Sequence, residues 1–387
     1  MAMVRSPGVS AKTRRPLSAS HLPKLVLLQL LRALAALSVA MLHAQHDAAA
    51  LAERTGRAFA PLTAFPWEAG VDVFFVISGF IMVHASARLF GTAEGRRLFL
   101  ARRIARIVPI YWAVTTLYLA IALAAPALLN VEFIGWERVL ASYLFIPLAR
   151  PDGVVQPLYG LGWTLNYEMF FYALFALAIV RPRWRAVLGL AAALIGLVIV
   201  GRLFYQLPQP LGFWTDPIIL EFVYGMGLAL LHAQGARLGG SARALLAAGA
   251  VIVLTLALAL PLSPQEILAY RSLLFGVPAA MLVAAVAFGG ERAGDGRLAR
   301  MGAAIGDASY ALYLIHPFVI RAGRELALRS GLAIGPWLFI ALALAAAIAA
   351  SLLVYRLFER PLTTRLRARL EGGRAASAGV AVYRSRH

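Results

Sequence analysis

Ten apolar runs recur along this chain, separated by short polar segments. Each run is about 18 residues or longer, which is enough for a helix to cross a hydrocarbon core about 30 Å thick. A further apolar stretch, 139–148, is too short to cross and is expected to be re-entrant or interfacial. The pattern predicts an all-α, polytopic membrane helical bundle of about ten transmembrane helices, near residues 25–46, 70–90, 107–126, 160–180, 186–206, 214–232, 244–262, 270–290, 302–322 and 336–358.

Two ionisable residues, Arg32 and His43, lie inside the first run, eleven positions apart. In a helix this spacing leaves them about 20° apart in azimuth and about 16 Å apart along the axis. Because an ionisable group in a membrane helix is costly, two on one face indicate a polar path through the protein.

The second run begins with Asp72 and contains Ser78 and Gly79 among bulky apolar residues. Gly79 would allow another helix or a ligand to approach the backbone closely. Asp72 has two interpretations of about equal weight: a functional carboxylate, or a charge that the helix dipole favours at a helix N-terminus.

Three arginines, Arg102, Arg103 and Arg106, precede the third run. Positive residues commonly anchor the cytoplasmic end of a membrane helix, and this remains one interpretation. The other is an anion site, because several guanidinium groups near one helix start suit the phosphates of a cytosolic nucleotide.

Polar residues also enter the fourth and sixth runs. Trp163 and Tyr172 could belong to an aromatic belt at the membrane interface, whereas Glu168 lies too deep for that explanation. Glu168 and Tyr172 are four residues apart and share a helix face. Glu221 lies well inside the sixth run without a local partner, which favours a functional role over a packing role.

The ninth run carries Ser309, Tyr313 and His316 on one helix face. A lone histidine is more often a core residue than a catalyst, but polar neighbours make a functional role for His316 more plausible. The predicted topology places His43, Asp72, Glu168 and His316 together in the outer half of the bundle, as an acid/base cluster.

Charge and composition support a membrane protein rather than a nucleic-acid-binding one. The 387 residues are 61% hydrophobic and 14% charged, with a mean hydropathy of +0.76 and a net charge of +19. Most Lys and Arg residues fall in the two tails and in loops on one predicted face, so positive charge indicates cytoplasmic termini and not DNA binding. The predicted membrane domain covers 25–362, between basic cytoplasmic tails at 1–24 and 363–387.

The chain has no cysteine, which excludes disulfides, thiolate metal sites and cysteine nucleophiles. No metal site is expected. The predicted arrangement has a cationic inner entrance and an outer acid/base cluster, which suits a cytosolic donor with a phosphorylated head and a long thin arm. Two alternatives remain: a flippase or transporter for lipid-linked sugars, and a structural membrane subunit.

Seven stretches, in order, resemble those of the acyltransferase-3 family of integral-membrane acyltransferases, especially bacterial exopolysaccharide O-acetyltransferases. One such motif would be weak, but seven in order are specific. They run from about residue 28 to 362 and read LRALAALSVAMLHA, EAGVDVFFVISGFI, FLARRIARIVPIYW, LGWTLNYEMFFY, LEFVYGMGL, IGDASYALYLIHPFVI and FERPL.

The resemblance implies a ten-helix core in the bacterial inner membrane, with acetyl-coenzyme A as co-substrate and no permanently bound cofactor. The implied acceptor is a hydroxyl of an extracytoplasmic or lipid-linked carbohydrate. The chain ends soon after its last predicted helix, so we expect no outer esterase-like domain; any second transfer step would then need a polysaccharide-assembly partner. His43 is implied as the catalytic histidine and general base. The expected donor-binding residues are Arg32, Arg102, Arg103 and Arg106, and the expected acceptor contacts are Trp163, Tyr172, Glu221 and Tyr313.

Overall fold

A computed structural model describes residues 26–126, 135–204, 207–289, 296–331 and 334–372. Within these ranges the regular structure is helical, with one isolated β-bridge between Ala149 and Val155. The predicted tail at 1–24 lies outside the described residues, as does 373–387. The first part of the predicted C-terminal tail, in contrast, continues as a helix.

Fifteen helices follow one another in the described ranges, in an order that matches the apolar runs of the sequence. The first eight are α1 Val26–Arg54, α2 Gly70–Ala85, α3 Gly95–Ala124, α4 Trp136–Tyr143, α5 Trp163–Ala178, α6 Arg183–Leu203, α7 Leu211–Trp214 and α8 Leu220–Ala233. The others are α9 Gly240–Ala257, α10 Pro264–Ala269, α11 Val277–Ala287, α12 Arg297–Asp307, α13 Ser309–Ser330, α14 Pro336–Val354 and α15 Arg360–Gly372.

Length and apolarity limit how many of these helices qualify as membrane spans. Among the described residues, six helices qualify, or seven if α12 and α13, bent by 75°, form one broken span. The apolar segments Pro217–Ala233 and Ser272–Ala287 are shorter than the roughly 20 residues that a straight crossing needs. The all-helical membrane architecture is therefore confirmed, whereas ten separate crossings are not established by length.

The contact between α2 and α8 depends on glycine at both helices. A Cβ atom at Gly79 would collide with the carbonyl oxygen of Phe222, and one at Gly225 would collide with that of Val76. The two backbones can approach this closely only because neither glycine carries a side chain. The predicted close approach at Gly79 is confirmed, and α2 presents its polar residues to the centre of the bundle.

Helix α1 is a central helix of the bundle, because α2, α12, α13 and α14 all pack against it. The bend between α12 and α13 directs these two helices to different parts of α1. Near the start of α1, the backbone oxygen of Gln29 lies where a Cβ atom on Gly306 of α12 would be, so the two helices are in close contact there. Further along, His43 meets His316 of α13. The 75° bend thus allows one polar segment of the chain to follow much of the length of α1.

Candidate active site

A cavity of 270 Å³ lies beside the first turns of α1, and we call it the arginine cavity. Helices α1, α2, α3, α5 and α13 each contribute to its wall. The apolar part of the lining includes Phe74 and Phe75, whereas the charged and phenolic part comprises Arg32, Arg103, Arg106, Glu168, Tyr172 and Tyr313. Five of the predicted site residues from distant parts of the sequence, in addition to Arg32, are therefore brought together here.

The arginine cavity is cationic. Arg103 and Arg106 are three residues apart on α3 and both reach the cavity. Arg103 is buried, and its Nε has no hydrogen-bond partner among the described residues. Arg32 donates from Nη1 to Oε1 of Gln29 at 3.0 Å. Three guanidinium groups face one lining carboxylate, that of Glu168, so the cavity has the charge and the donors to bind an anion.

The carboxylate of Glu168 is fixed by two hydroxyl groups. Ser78 Oγ on α2 donates to its Oε1 at 3.0 Å, and Tyr172 Oη, one turn further along α5, donates to the same oxygen. The predicted proximity of Glu168 and Tyr172 is confirmed. Because both donors are held by packed helices, the Glu168 charge has a defined position opposite the arginines.

A second cavity, of 480 Å³, lies beside the later turns of α1, and we call it the histidine cavity. His43 and Asp47 contribute from α1, one turn apart, and Arg321 contributes from α13. Most of the remaining surface is apolar or aromatic. It includes Tyr118, Ile121, Tyr159, Pro317, Phe318 and Leu326. A concave, largely apolar site with a few convergent polar groups is the usual form of a ligand pocket.

The half-buried His43 and the fully buried His316 form a pair at the boundary of the histidine cavity. Nε2 of His316 lies 3.3 Å from Nδ1 of His43. Nδ1 of His316 is 2.9 Å from the Leu312 carbonyl, and Nδ1 of His43 is 2.9 Å from the Val39 carbonyl. A carbonyl oxygen only accepts, so in the neutral pair both Nδ1 atoms carry the hydrogen. Nε2 of His316 is then an acceptor for His43, and Nε2 of His43 keeps a free lone pair.

A thin wall of side chains separates the two cavities. Tyr313 lines the arginine cavity, whereas Pro317, four residues later on α13, lines the histidine cavity. One helical turn is about 5.4 Å, so the cavities are close neighbours along α13. Tyr313 is held by Thr164, with 3.0 Å between their hydroxyl oxygens, and Tyr159 donates to the Leu314 carbonyl at 2.7 Å. His316 lies within this wall.

Asp72 and Glu221 lie in a third polar cluster, apart from the histidines. Asp72 is fully buried and accepts two hydrogen bonds from Arg271, at 2.9 and 2.7 Å. Glu221 is also fully buried and faces this ion pair. A Cβ at Gly276 would lie 2.8 Å from Cγ of Glu221, so a glycine makes room for that side chain. The Arg271 partner explains how the bilayer tolerates Asp72.

The acid/base cluster expected in the outer half is thus divided into three groups. His43 and His316 are together, Glu168 lies with the arginines, and Asp72 pairs with Arg271. Arg271 neutralises Asp72, whereas Glu168 accepts hydrogen bonds from the hydroxyl groups of Ser78 and Tyr172. Trp163 packs against Phe75 and Tyr167 and lines neither cavity, and Arg102 forms an ion pair with Glu371.

Sequence reasoning missed several residues of this region. Asp47 follows His43 by four residues, so helical spacing could have identified it, but its partner Arg324, at 2.7 Å, is 277 residues away. Arg271 lies at the start of the predicted run 270–290, where a charged residue in an apolar segment is a signal of a polar site. Tyr159 precedes a predicted run and carries no recognisable signal. Glu359 is buried close enough to Arg32 for an electrostatic interaction, and the sequence indicates it only through the FERPL motif.

Comparison with known proteins identifies the family of this chain. The profile of a family described as an acyltransferase domain matches residues 26–356. The chain is 36% identical to the exopolysaccharide production protein ExoZ of Rhizobium meliloti (strain 1021) over 324 residues, which cover 82% of this chain and 95% of ExoZ. It is 30% identical to the acyltransferase MdmB of Streptomyces mycarofaciens over 325 residues, covering 76% of this chain and 79% of MdmB. No solved structure gives a significant match.

Proposed function

Because this chain belongs to the acyltransferase-3 family and is a membrane O-acyltransferase, we propose that it transfers an acetyl group from cytosolic acetyl-coenzyme A to a carbohydrate hydroxyl. The acceptor is an extracytoplasmic or lipid-linked sugar, of an exopolysaccharide or a similar polymer. The observation that supports this most directly is the placement of the arginine cavity and the histidine cavity along one face of α1, with the His43–His316 pair at the wall between them.

The donor binds with its phosphates at the arginine cavity. Arg32, Arg103 and Arg106 supply charge-assisted hydrogen bonds, which are stronger than neutral ones. Arg103 is suited to this role because its Nε is buried without a partner among the described residues. The thin arm of the donor extends along α1 toward His43, so that its thioester reaches the wall between the cavities.

The acceptor binds in the histidine cavity. Tyr159 and Phe318 are stacked there, with ring centroids 5.4 Å apart, and Tyr118 completes an aromatic surface. Flat aromatic surfaces with a few polar groups suit a sugar, which has both apolar faces and hydroxyl groups. The name of ExoZ refers to exopolysaccharide production, which supports a polysaccharide or its precursor as the acceptor of this chain.

The chemistry is proton removal followed by acyl transfer. Nε2 of His43 accepts the proton of the acceptor hydroxyl as its oxygen attacks the thioester carbonyl carbon. The carbon–sulfur bond then breaks, and the coenzyme A thiolate takes the proton from His43. The products are the acetyl ester and coenzyme A with a free thiol. His316 accepts a hydrogen bond from Nδ1 of His43, which keeps Nε2 directed at the cavity and stabilises the imidazolium.

This function requires a defined topology. We propose ten crossings with both termini in the cytoplasm of a bacterial inner membrane, with the shorter helices α5, α8 and α11 and the bent pair α12–α13 as the crossings that length alone does not identify. The arginine cavity then faces the cytoplasm and the histidine cavity faces the opposite side. The partners are the acyl-coenzyme A donor, the carbohydrate, the bilayer and proteins of polysaccharide assembly.

The experiment is acetyl transfer by purified protein in sealed proteoliposomes. Radiolabelled acetyl-coenzyme A is enclosed on the arginine-cavity side, and an oligosaccharide from the cell's own polysaccharide is supplied on the other. We expect acetylated sugar from the wild-type protein and a loss of about 10²–10⁴ in rate for His43→Ala. The matched control is His46→Ala, because His46 is an exposed neighbour on the same helix. Sugar that crosses the membrane without acetylation would instead support a transporter.

A further inference from the structure

The last helix of the described chain lies against the arginines of α3. Thr363 Oγ1 donates to the Ala105 carbonyl at 3.3 Å, and Glu371 accepts two hydrogen bonds from Arg102, at 2.7 and 3.3 Å. Thr363, Arg367 and Glu371 are spaced by four residues, so they share one face of α15. Arg367 is therefore held between two points at which α15 is attached to α3.

Arg367 has an unusual environment for a cation. Its Nε is buried and has no hydrogen-bond partner among the described residues, as is also true of Arg103. Arg367 lies close enough to Arg102, Arg103 and Arg106 to be affected by their positive charges. The mutual repulsion of these positive charges is unfavourable, and a bound anion would reduce it.

Glu371 is the acidic residue that α15 brings to this group. Its carboxylate bonds Arg102 with the two-point geometry that a phosphate would also adopt. Both side chains are 33% exposed, so this pair is accessible and contributes little to stability. The carboxylate of Glu371 thus occupies the position at which Arg102, predicted from the sequence to bind the donor, could bind a phosphate.

We propose that α15 is part of the donor-binding site. Arg367 binds a phosphate of the coenzyme A donor together with Arg103 and Arg106, and Glu371 holds Arg102 in the donor-free protein and releases it when a donor phosphate arrives. This inference rests on the proposed function, since it requires a donor with phosphates. It gives a binding role to a segment that the sequence predicted to be a basic tail.

The test is coenzyme A affinity, measured by titration calorimetry on the full-length protein in nanodiscs of neutral phosphatidylcholine. Arg367→Gln should weaken binding about tenfold or more, because it removes a charge-assisted hydrogen bond. Glu371→Gln should tighten binding about two- to fivefold, the value of an exposed ion pair. The matched controls are Arg365→Gln and Arg369→Gln, exposed residues on the same helix, which should stay within about twofold of the wild-type affinity.

Two further titrations, one with a second variant and one with a second ligand, check folding and identify the phosphate that Arg367 contacts. Arg367→Lys keeps the charge, so it should retain most of the affinity if the protein is folded and the role is electrostatic. Titration with 3′-dephospho-coenzyme A assigns the contact: an Arg367→Gln effect that disappears identifies the 3′-phosphate, and one that persists identifies the pyrophosphate. Both results support the inference.

Wild-type affinity in Arg367→Gln would overturn the inference and leave the proposed function intact, because the wild-type protein would still bind coenzyme A. An effect seen only in nanodiscs with phosphatidylglycerol would assign Arg367 to a lipid head group and would also overturn it. If the wild-type protein itself did not bind coenzyme A, the proposed donor would be wrong, and the two failures are therefore distinguishable.

Discussion

Nε2 of His316 lies 3.3 Å from Nδ1 of His43, although the two residues are 273 positions apart in the sequence. His316 is fully buried, lines neither cavity and bonds the Leu312 carbonyl through its other nitrogen. It therefore touches the proposed base and not the substrates. We therefore propose that His316 positions His43, which is a narrower role than the direct acid/base function that the sequence predicts.

The first prediction is that His316→Ala lowers kcat by up to about 10²-fold and leaves the donor KM unchanged. The Nδ1 hydrogen of His43 is shared between the Val39 carbonyl and Nε2 of His316, so the variant leaves the ring held by Val39 alone. A resulting misplacement of about 1 Å can have an effect of this size. The measurement is steady-state acetyl transfer over a range of acetyl-coenzyme A concentrations.

The control for this prediction is His316→Gln. The glutamine oxygen can accept the Nδ1 hydrogen of His43, so this variant should recover much of the lost kcat. If Gln and Ala behaved alike while both proteins were folded, His316 would be a packing residue and not a positioning one.

The second prediction concerns donor binding. Arg106→Ala should raise the donor KM about tenfold or more with a smaller change in kcat, because a guanidinium–phosphate bond is present in both the ground state and the transition state. Added salt should weaken donor binding more in the wild-type protein than in the variant. Arg97→Ala, at an exposed residue of the same helix, is the control and should change neither constant. Equal effects at Arg97 and Arg106 would mean that α3 contributes only a general positive field.

Local pattern predicted the helices and the shared face of Arg32 and His43, because apolar runs and helical periodicity are properties of adjacent residues. It could not predict which polar groups meet, since those contacts join distant parts of the chain. Ser78 and Glu168 are 90 residues apart, and Asp72 and Arg271 are 199 apart. Similarly, the 75° bend between α12 and α13 divides a stretch that the apolar pattern predicts as one helix.

The third prediction tests the contact between α2 and α8. Gly79→Val should destabilise the protein by about 1–3 kcal/mol or more, because the new side chain would collide with the backbone of Phe222. Thermal unfolding in detergent gives the measurement. Gly227→Val is the matched control: this glycine is on α8, and a Cβ there would have no neighbour within 4 Å among the described residues. Equal stability of the two variants would contradict the close helix crossing.

The fourth prediction is the topology, tested with single cysteines in a chain that naturally has none. Ala60 precedes α2 and Ala93 follows it, and both are exposed. With cytoplasmic termini, an impermeant thiol reagent outside intact cells should label Ala60→Cys, whereas Ala93→Cys should react only after permeabilisation. The positive-inside distribution of arginine is the reason for this order.

The number of crossings needs two more positions. Asp152 precedes α5 and Gln234 follows α8, and both are exposed. Ten crossings place Asp152→Cys outside and Gln234→Cys inside, because three crossings, α5, α6 and α8, separate them. If the short α8 did not cross, only two crossings would intervene and both cysteines would be labelled from the same side. Reaction of both after lysis confirms that each thiol is accessible. Labelling of Ala93→Cys but not Ala60→Cys in intact cells would reverse the orientation, and a cytosolic donor could then no longer reach the arginine cavity.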